Sequence, residues 1–281
     1  MAADGDTGLP HQLNFYNDFV RSNKERTVVI ISDAMRYEVG RSLFEKLQAD
    51  EKCTASISAM QSVLPSYTKF GMAALLPHNT IEVLPDSRTL ADGKPTDDIK
   101  QREAVLQAAN PDSRCVKYDD IKSMNVSALR DVFTGQNVVY VYHDQIDARG
   151  DHASTENEVF NACEEAVEEI YFLVRKLTSS ANTIHYIITA DHGFIYKRDK
   201  LSESDKISGI PDADRRYALT DRDVQGEGVA SLPFSSILGA DDSRRVYFPM
   251  GSDLFKKQGS GLNYTHGGSS PQEMILSLIH I

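Results

Sequence analysis

Five short segments of this chain carry side chains able to hold divalent cations and to move a phosphoryl group. The first is Asp191-His192-Gly193, which follows the apolar, β-branched run at 184–189. A carboxylate beside an imidazole can bind one metal ion, and a glycine frees the backbone for tight geometry. The second is Asp33, directly after Thr27-Val28-Val29-Ile30-Ile31-Ser32. The third follows Val138-Val139-Tyr140-Val141-Tyr142 and contains His143, Asp144, Asp147, Asp151 and His152. An aspartate and a ligand four or five positions later can fold back onto one ion. The fourth holds two hydroxyls, Ser66 and Thr68, just before a helical stretch. Amides at a helix start favour an incoming phosphate, and a bound metal can ionise a hydroxyl. The fifth is His266-Gly267-Gly268.

Each segment also has a plain structural reading. The tripeptide could be a strand-to-loop turn, Asp33 or Thr68 a helix cap, and the 143–152 stretch a polar surface loop. Residue type does not separate Ser66 from Thr68. The paired arginines Arg215-Arg216 and Arg244-Arg245 could clamp phosphate oxygens or serve as salt-bridge partners. Together the segments make a ligand inventory for two divalent ions around a nucleophilic hydroxyl. Mixed Asp/His ligands suit zinc or manganese better than magnesium.

The elements that position these residues are legible from periodicity. Residues 27–31, 138–142 and 184–189 read as buried parallel strands, and each ends at one of the acidic segments. In open α/β sheets, ligands bind beyond the carboxyl ends of strands. Helices are expected after Asp33, at 69–76, 98–109 and 126–133, and from a Thr155/Glu158 capping box onward. Ser270-Pro271-Gln272-Glu273 reads as another helix start. Residues 78–137 read as an insertion or irregular half with a short strand at 115–118, and 197–245 as loop-rich, followed by a strand-like stretch at 246–249. Lys197 to Lys206 is charged, and mobility is expected there.

The chain has 281 residues, 41% of them apolar, enough for one large α/β domain. A net charge of −11 argues against a broad face for duplex DNA. Cys53, Cys115 and Cys163 form no Cys-x-x-Cys pair and read as free thiols of a cytoplasmic protein. No secretory signal or membrane-spanning run is visible. The last six residues, Leu276-Ser277-Leu278-Ile279-His280-Ile281, match the translation of a transposon end used in library preparation. They are expected to be a foreign tail without a role.

The sequence resembles the PglZ family, part of the alkaline phosphatase superfamily and associated with BREX-type phage defence. The resemblance rests on Val28-Val29-Ile30-Ile31-Ser32-Asp33-Ala34-Met35-Arg36-Tyr37-Glu38 and on Leu64-Pro65-Ser66-Tyr67-Thr68-Lys69-Phe70-Gly71. It continues through residues 187–194 and His266-Gly267-Gly268. It implies an alkaline-phosphatase-like, mostly parallel sheet with helices on both faces over residues 25–275, after a helical flank at 1–24. It also implies a metal-dependent phosphodiesterase or phosphatase. One ion would be held by Asp33, Asp191 and His192, with Thr68 bridging as nucleophile. The other would be held by Asp147, Asp151 or His152, and His266, with Asp151 preferred. Zinc is the expected ion and manganese the alternative.

Two departures from the superfamily pattern matter. The residue four positions after Asp147 is Asp151 rather than histidine, and no asparagine follows Thr68. Contact to the transferring phosphate is therefore expected from Lys69 or a backbone amide, with Arg215 and Arg216 as further substrate-binding residues. A phosphoester or nucleotide-like substrate and other defence proteins are the expected partners, without a membrane. The competing expectation is a catalytically weak metal- or nucleotide-binding scaffold. A sulfatase-like hydrolase lacks its modifiable Cys/Ser context after Asp33.

Overall fold

Runs of β-branched and aromatic residues without alternation fold into strands covered on both faces. The computed structural model describes residues 7–199, 202, 206–257 and 263–281. The main sheet contains β1 (Thr27–Ser32), β2 (Ser56–Gln61), β3 (Ser113–Lys117), β4 (Val138–His143), β5 (His185–Thr189) and β6 (Ile275–His280). Their spatial order is β2–β6–β5–β1–β4–β3. β1 runs parallel to β4 and β5, and β4 parallel to β3, while β6 runs antiparallel to both β5 and β2. Every residue of β1 and β4 is buried, so neither face of the sheet centre meets water. This is the mostly parallel α/β sheet expected from the sequence.

Register positions the candidate site. Ser32 pairs with His143 and Ile31 with Thr189, so three strands finish level. Asp33, the loop after His143, and Asp191 therefore emerge at one edge. β6 runs the opposite way, so its amino end lies at that edge as well. It carries the preceding helix Pro271–Met274 and the His266 segment there.

Besides two short helices, Tyr118–Ile121 and Phe234–Leu238, the described residues form α1 (Tyr37–Gln48), α2 (Thr68–Ala74), α3 (Ile99–Ala109), α4 (Val126–Phe133), α5 (Gln145–Gly150), α6 (Val159–Ala181) and α7 (Pro271–Met274). In α6, Val159, Cys163, Ala166, Ile170, Leu173, Val174 and Leu177 recur every three to four residues and are buried. Each large aliphatic member of that stripe contributes roughly 1.5–3 kcal/mol by leaving water. Capping boxes start α3 (Asp98 with Gln101) and α7 (Ser270 with Glu273). The box expected at Thr155 does not form. The Thr155 hydroxyl donates to the Arg149 carbonyl instead (2.8 Å), and α6 begins after a 3-10 turn.

Three boundaries differ from expectation. Segment 78–137 is not purely an insertion, because it supplies β3 to the main sheet beside a small antiparallel sheet (Ile81–Val83, Thr89–Ala91, Lys94–Pro95). The loop-rich region around 197–245 contains an antiparallel sheet of Ala218–Thr220, Arg245–Pro249 and Val229–Pro233. The strand-like stretches expected at 115–118 and 246–249 overlap Ser113–Lys117 and Arg245–Pro249, whereas Ala218–Thr220 and Val229–Pro233 carry too few alternations to read from sequence. The hexapeptide 276–281, given no role, lies mostly in β6, where Leu276, Leu278 and Ile279 are fully buried. Residues 1–6 of the flank and most of 200–205 lie outside the described residues. From the rest of the flank, Gln12 reaches inward. Its amide donates to the Asp191 carbonyl (2.8 Å), and its oxygen accepts from Val63 N (3.0 Å).

Candidate functional site

Asp33, Asp191 and His192 converge where β1 and β5 end. Their ligand atoms lie within 4.8 Å of one another, and all three residues are buried. The turn after β1 puts Ala34 at φ 63°, a left-handed conformation that costs an alanine energy. That turn aims the Ala34 amide at Asp191 Oδ1 (3.2 Å). Asp33 Oδ1 and Asp191 Oδ2 accept no hydrogen bond among the described residues, although both are buried. A buried carboxylate oxygen without a donor is costly unless a cation or proton meets it. Burial, then the Asp191 and Asp147 charges, hold the Asp33 carboxyl well above its usual range. Burial raises that of Asp191 to about 7 against the Ala34 hydrogen bond. Protein groups alone do not stabilise two carboxylates here. A divalent cation would, so the donor set fits a metal.

Both histidines could serve as ligands. His192 Nδ1 lies 2.9 Å from the Gly193 carbonyl, which can only accept, so Nδ1 carries the proton and Nε2 offers its lone pair. Nε2 sits 3.4 Å from Asp33 Oδ1, 3.5 Å from Asp191 Oδ2 and 3.0 Å from Thr68 Oγ1. Burial lowers the His192 pKa and keeps the ring neutral. His266 stacks on His192 with centroids 4.1 Å apart, and its Nδ1 faces the Ser66 carbonyl (3.4 Å). A second ligand group, Asp147, His192 and His266, again has its atoms within 4.8 Å. Asp147 Oδ1 accepts from the Tyr264 hydroxyl at 2.7 Å.

Thr68 reaches this centre because α2 packs directly on Asp191. A methyl group on Gly71 would lie 2.3 Å from the Asp191 carbonyl oxygen, so no other residue permits that approach. Ser66 is buried, and its hydroxyl donates to Gly268 O (2.7 Å). Geometry thus separates the two hydroxyls: Thr68, not Ser66, faces the Asp/His cluster. A cavity of about 420 Å³ opens over this centre, lined by Thr68, Lys69, Asp147, Asp151, Arg215 and His266. Asp151 faces the cavity and His152 does not, yet Asp151 belongs to neither close ligand group.

Arg216 departs from expectation. It is fully buried and forms a bidentate pair with Glu273 (Nε to Oε1 3.0 Å, Nη2 to Oε2 2.7 Å). Its Nη1 donates to the carbonyls of Gly251 (2.9 Å) and Asp253 (2.6 Å). The guanidinium is used up inside the protein and is not a phosphate clamp. Glu273 also accepts from Gly268 N (2.8 Å) and Ser270 N (3.1 Å), and its carbonyl accepts from Gly193 N (3.0 Å). The ion pair therefore ties down the residue after His192 and the second residue after His266. Burial raises the Glu273 pKa, but its bonds to Arg216 outweigh this and hold it below the usual range.

Sequence reasoning missed Gln12, Tyr264, Glu273 and a partly buried relay running from the end of β1 to Glu169. In that relay, Ser32 Oγ meets His143 Nδ1 (3.0 Å) and His143 Nε2 meets Glu169 (3.0 Å). Only Glu273 had a local signal, its capping box, which hid the second task of that carboxylate.

A mostly parallel sheet with an Asp/His cluster at its carboxyl edge defines an alkaline-phosphatase-like domain. The fold is shared with murine ectonucleotide pyrophosphatase/phosphodiesterase 5, at a TM-score of 0.59 and 13% identity, covering 91% of this chain and 88% of that one. An inactive threonine-to-alanine form of the murine protein in complex with AMP gives a TM-score of 0.57 at 14% identity, over 92% and 88% of the two chains.

The chain belongs to the PglZ family: the BREX system PglZ alkaline phosphatase-like domain matches residues 14–281. It is 40% identical over 279 residues to the alkaline phosphatase-like protein PglZ of Bacillus cereus (strain H3081.97), covering 97% of this chain. It is 33% identical over 287 residues to the alkaline phosphatase-like protein BrxZ of Escherichia coli O9:H4 (strain HS), covering 98% of this chain. The chain spans about a third of the length of both relatives (33%). Among the described residues, no helix is long and apolar enough to cross a membrane.

Proposed function

We propose that this chain is the catalytic domain of a metal-dependent phosphoester hydrolase, a phosphodiesterase or phosphatase, in a cytoplasmic phage-defence system. The observation that carries this reading is Thr68 Oγ1 at 3.0 Å from His192 Nε2, beside buried carboxylate oxygens that lack hydrogen bonds. Asp33, Asp191 and His192 would hold one ion, and Asp147, Asp151 and His266 the other, with zinc favoured over manganese by the two histidines. When bound, such ions lower the pKa of the Thr68 hydroxyl and neutralise charge on the phosphoryl and leaving oxygens.

Thr68 Oγ gives its proton to solvent and attacks phosphorus. The new P–O bond forms as the bond to the leaving oxygen breaks, and that oxygen leaves with its electron pair and takes up a proton. Water then cleaves the phosphothreonine, releasing the phosphoryl product and restoring Thr68. Lys69 and Arg215 line the cavity, where they would pair with phosphate oxygens of the substrate. The murine neighbour in complex with AMP supports a nucleotide-like substrate, and BREX-family membership supports partnership with other defence proteins.

A scaffold that binds metal or nucleotide with little turnover is the second reading. It is favoured by the position of Asp151 outside both close ligand groups. The test is hydrolysis of bis-(p-nitrophenyl) phosphate and p-nitrophenyl phosphate by zinc- or manganese-loaded protein, with acid-quenched samples read by mass spectrometry. Turnover lost in Thr68→Ala, with phosphate trapped on Thr68 in the wild type, supports the enzyme. Metal binding without turnover of either ester supports the scaffold. Turnover surviving in Thr68→Ala removes the covalent route.

A further inference from the structure

Beyond Thr189, strand β5 leaves the ladder: its pairing with β1 ends at that residue. The buried carbonyls of Ala190 and Asp191 must therefore find donors outside the sheet. One side chain from the flank supplies them. Gln12 Nε2 donates to Asp191 O (2.8 Å) and to Ala190 O (3.4 Å). The Gln12 oxygen accepts from Val63 N (3.0 Å), and Ser62 Oγ lies 3.2 Å from it. Gln12 is fully buried. A neutral amide is the side-chain group that can donate twice and accept at the same place. Here it ties the main chain carrying Asp191 and His192 to the one running from Val63 to Thr68.

The relative placement of those two main chains sets the geometry of the centre. Gly71 of α2 lies against the same Asp191 carbonyl, where a methyl group would come within 2.3 Å. One turn earlier in α2, Thr68 Oγ1 is 3.0 Å from His192 Nε2. A shift of Asp191 against Val63 therefore moves His192 against Thr68. The segment that brings Gln12 is itself anchored. Gln61 N donates to Pro10 O (2.8 Å), and His11 Nδ1 accepts from Leu13 N (3.3 Å) at the start of the turn Gln12–Asn14. Leu13 packs on the cluster of Val63, Tyr67 and Phe70, and Phe15 enters the main core.

We infer that Gln12 is a positioning residue of the catalytic centre, an arm of the flank that fixes Asp191 and His192 relative to Thr68. This rests on the hydrolase reading for the reaction it serves, while its effect on metal binding is tested without turnover. A group that holds the backbone of a ligand fixes the direction in which that ligand points, and losing such support costs about 10- to 100-fold in metal affinity or activity.

The experiment compares two variants with the wild type. Gln12→Met keeps the length and bulk of the side chain and removes its hydrogen bonds. Phe15→Leu loosens the same flank and leaves those bonds in place. Each protein is titrated with zinc by calorimetry at a temperature where it is folded, and kcat and KM for bis-(p-nitrophenyl) phosphate are measured at saturating zinc. In Gln12→Met, affinity at one of two zinc sites is expected to fall about 10- to 100-fold, and kcat by a similar factor with KM within about twofold. Phe15→Leu is expected to lower Tm and to keep zinc affinity and kcat within about twofold of wild type. Zinc affinity within about twofold of wild type at both sites in Gln12→Met overturns the inference. An equal loss in Phe15→Leu overturns it too, because flank stability then explains the effect. Should Gln12→Met fail to fold, Gln12→Asn takes its place, with the amide one methylene short of its partners; wild-type zinc binding there overturns the inference in the same way. A zinc-loaded wild type that turns over neither nitrophenyl ester fails the hydrolase reading and leaves the zinc comparison standing.

Discussion

Replacing Arg216 with methionine distinguishes a structural ion pair from a substrate clamp. The guanidinium is fully buried, and its four hydrogen bonds go to Glu273, Gly251 and Asp253. Removing it leaves the Glu273 carboxylate buried with only the Gly268 and Ser270 amides as donors. Breaking one side of such a pair costs about 3–5 kcal/mol. In a domain of this size that lowers Tm by on the order of 10 °C. Protonation of Glu273 relieves the unpaired charge, so the loss is expected to be smaller at pH 5 than at pH 8. Glu273→Gln placed in the same background removes the charge while keeping an oxygen for the Gly268 amide, and is expected to recover part of the Tm. Differential scanning calorimetry at both pH values, with zinc titrations alongside, reads the effect. Zinc affinity should fall too, because the pair fixes the backbone next to His192 and His266. A variant with unchanged Tm and a raised KM would put Arg216 on the substrate and refute the reasoning.

Two further outcomes follow from the proposed metal centre. Tyr264→Phe removes the 2.7 Å bond to Asp147 Oδ1, so zinc affinity should drop about 10- to 100-fold at one of two sites; an equal loss at both, or none, would count against a positioning role. In chelator-treated protein, the raised carboxyls of Asp33 and Asp191 bind protons that the unfolded chain has released. The sign is therefore a stability contribution that is full below about pH 4 and lost as pH rises through about 7 for Asp191, worth on the order of a few kcal/mol. Saturating zinc should flatten this trend, because cations replace the protons. Tm curves from pH 5 to pH 8, with and without zinc, read the difference, and parallel curves would refute it.

Much of the site was legible because the ligands end strands. An apolar run such as 138–142 announces a buried strand, and the first acid after it marks where the chain leaves the sheet. The same logic found Asp33 and Asp191. Thr68 and His266 were candidates by residue type alone, and the resemblance gave them their roles, since a threonine before a short helix and a histidine before two glycines have common structural uses. Short strands such as Ala218–Thr220 escaped notice because three residues hold no measurable period. Arg215 and Arg216 look alike in sequence, yet one lines the cavity and the other lies in the core.

The sequence by itself determined the mostly parallel α/β class and the acids that leave the strand ends, because these depend on local pattern. Tertiary structure alone decided which hydroxyl meets His192, which arginine is spent on Glu273 and what holds Asp147 in place. Those outcomes rest on register and on contacts across long stretches of chain. The reversed direction of β6 carries the His266 segment to the edge where β1, β4 and β5 end, and no local pattern encodes that direction.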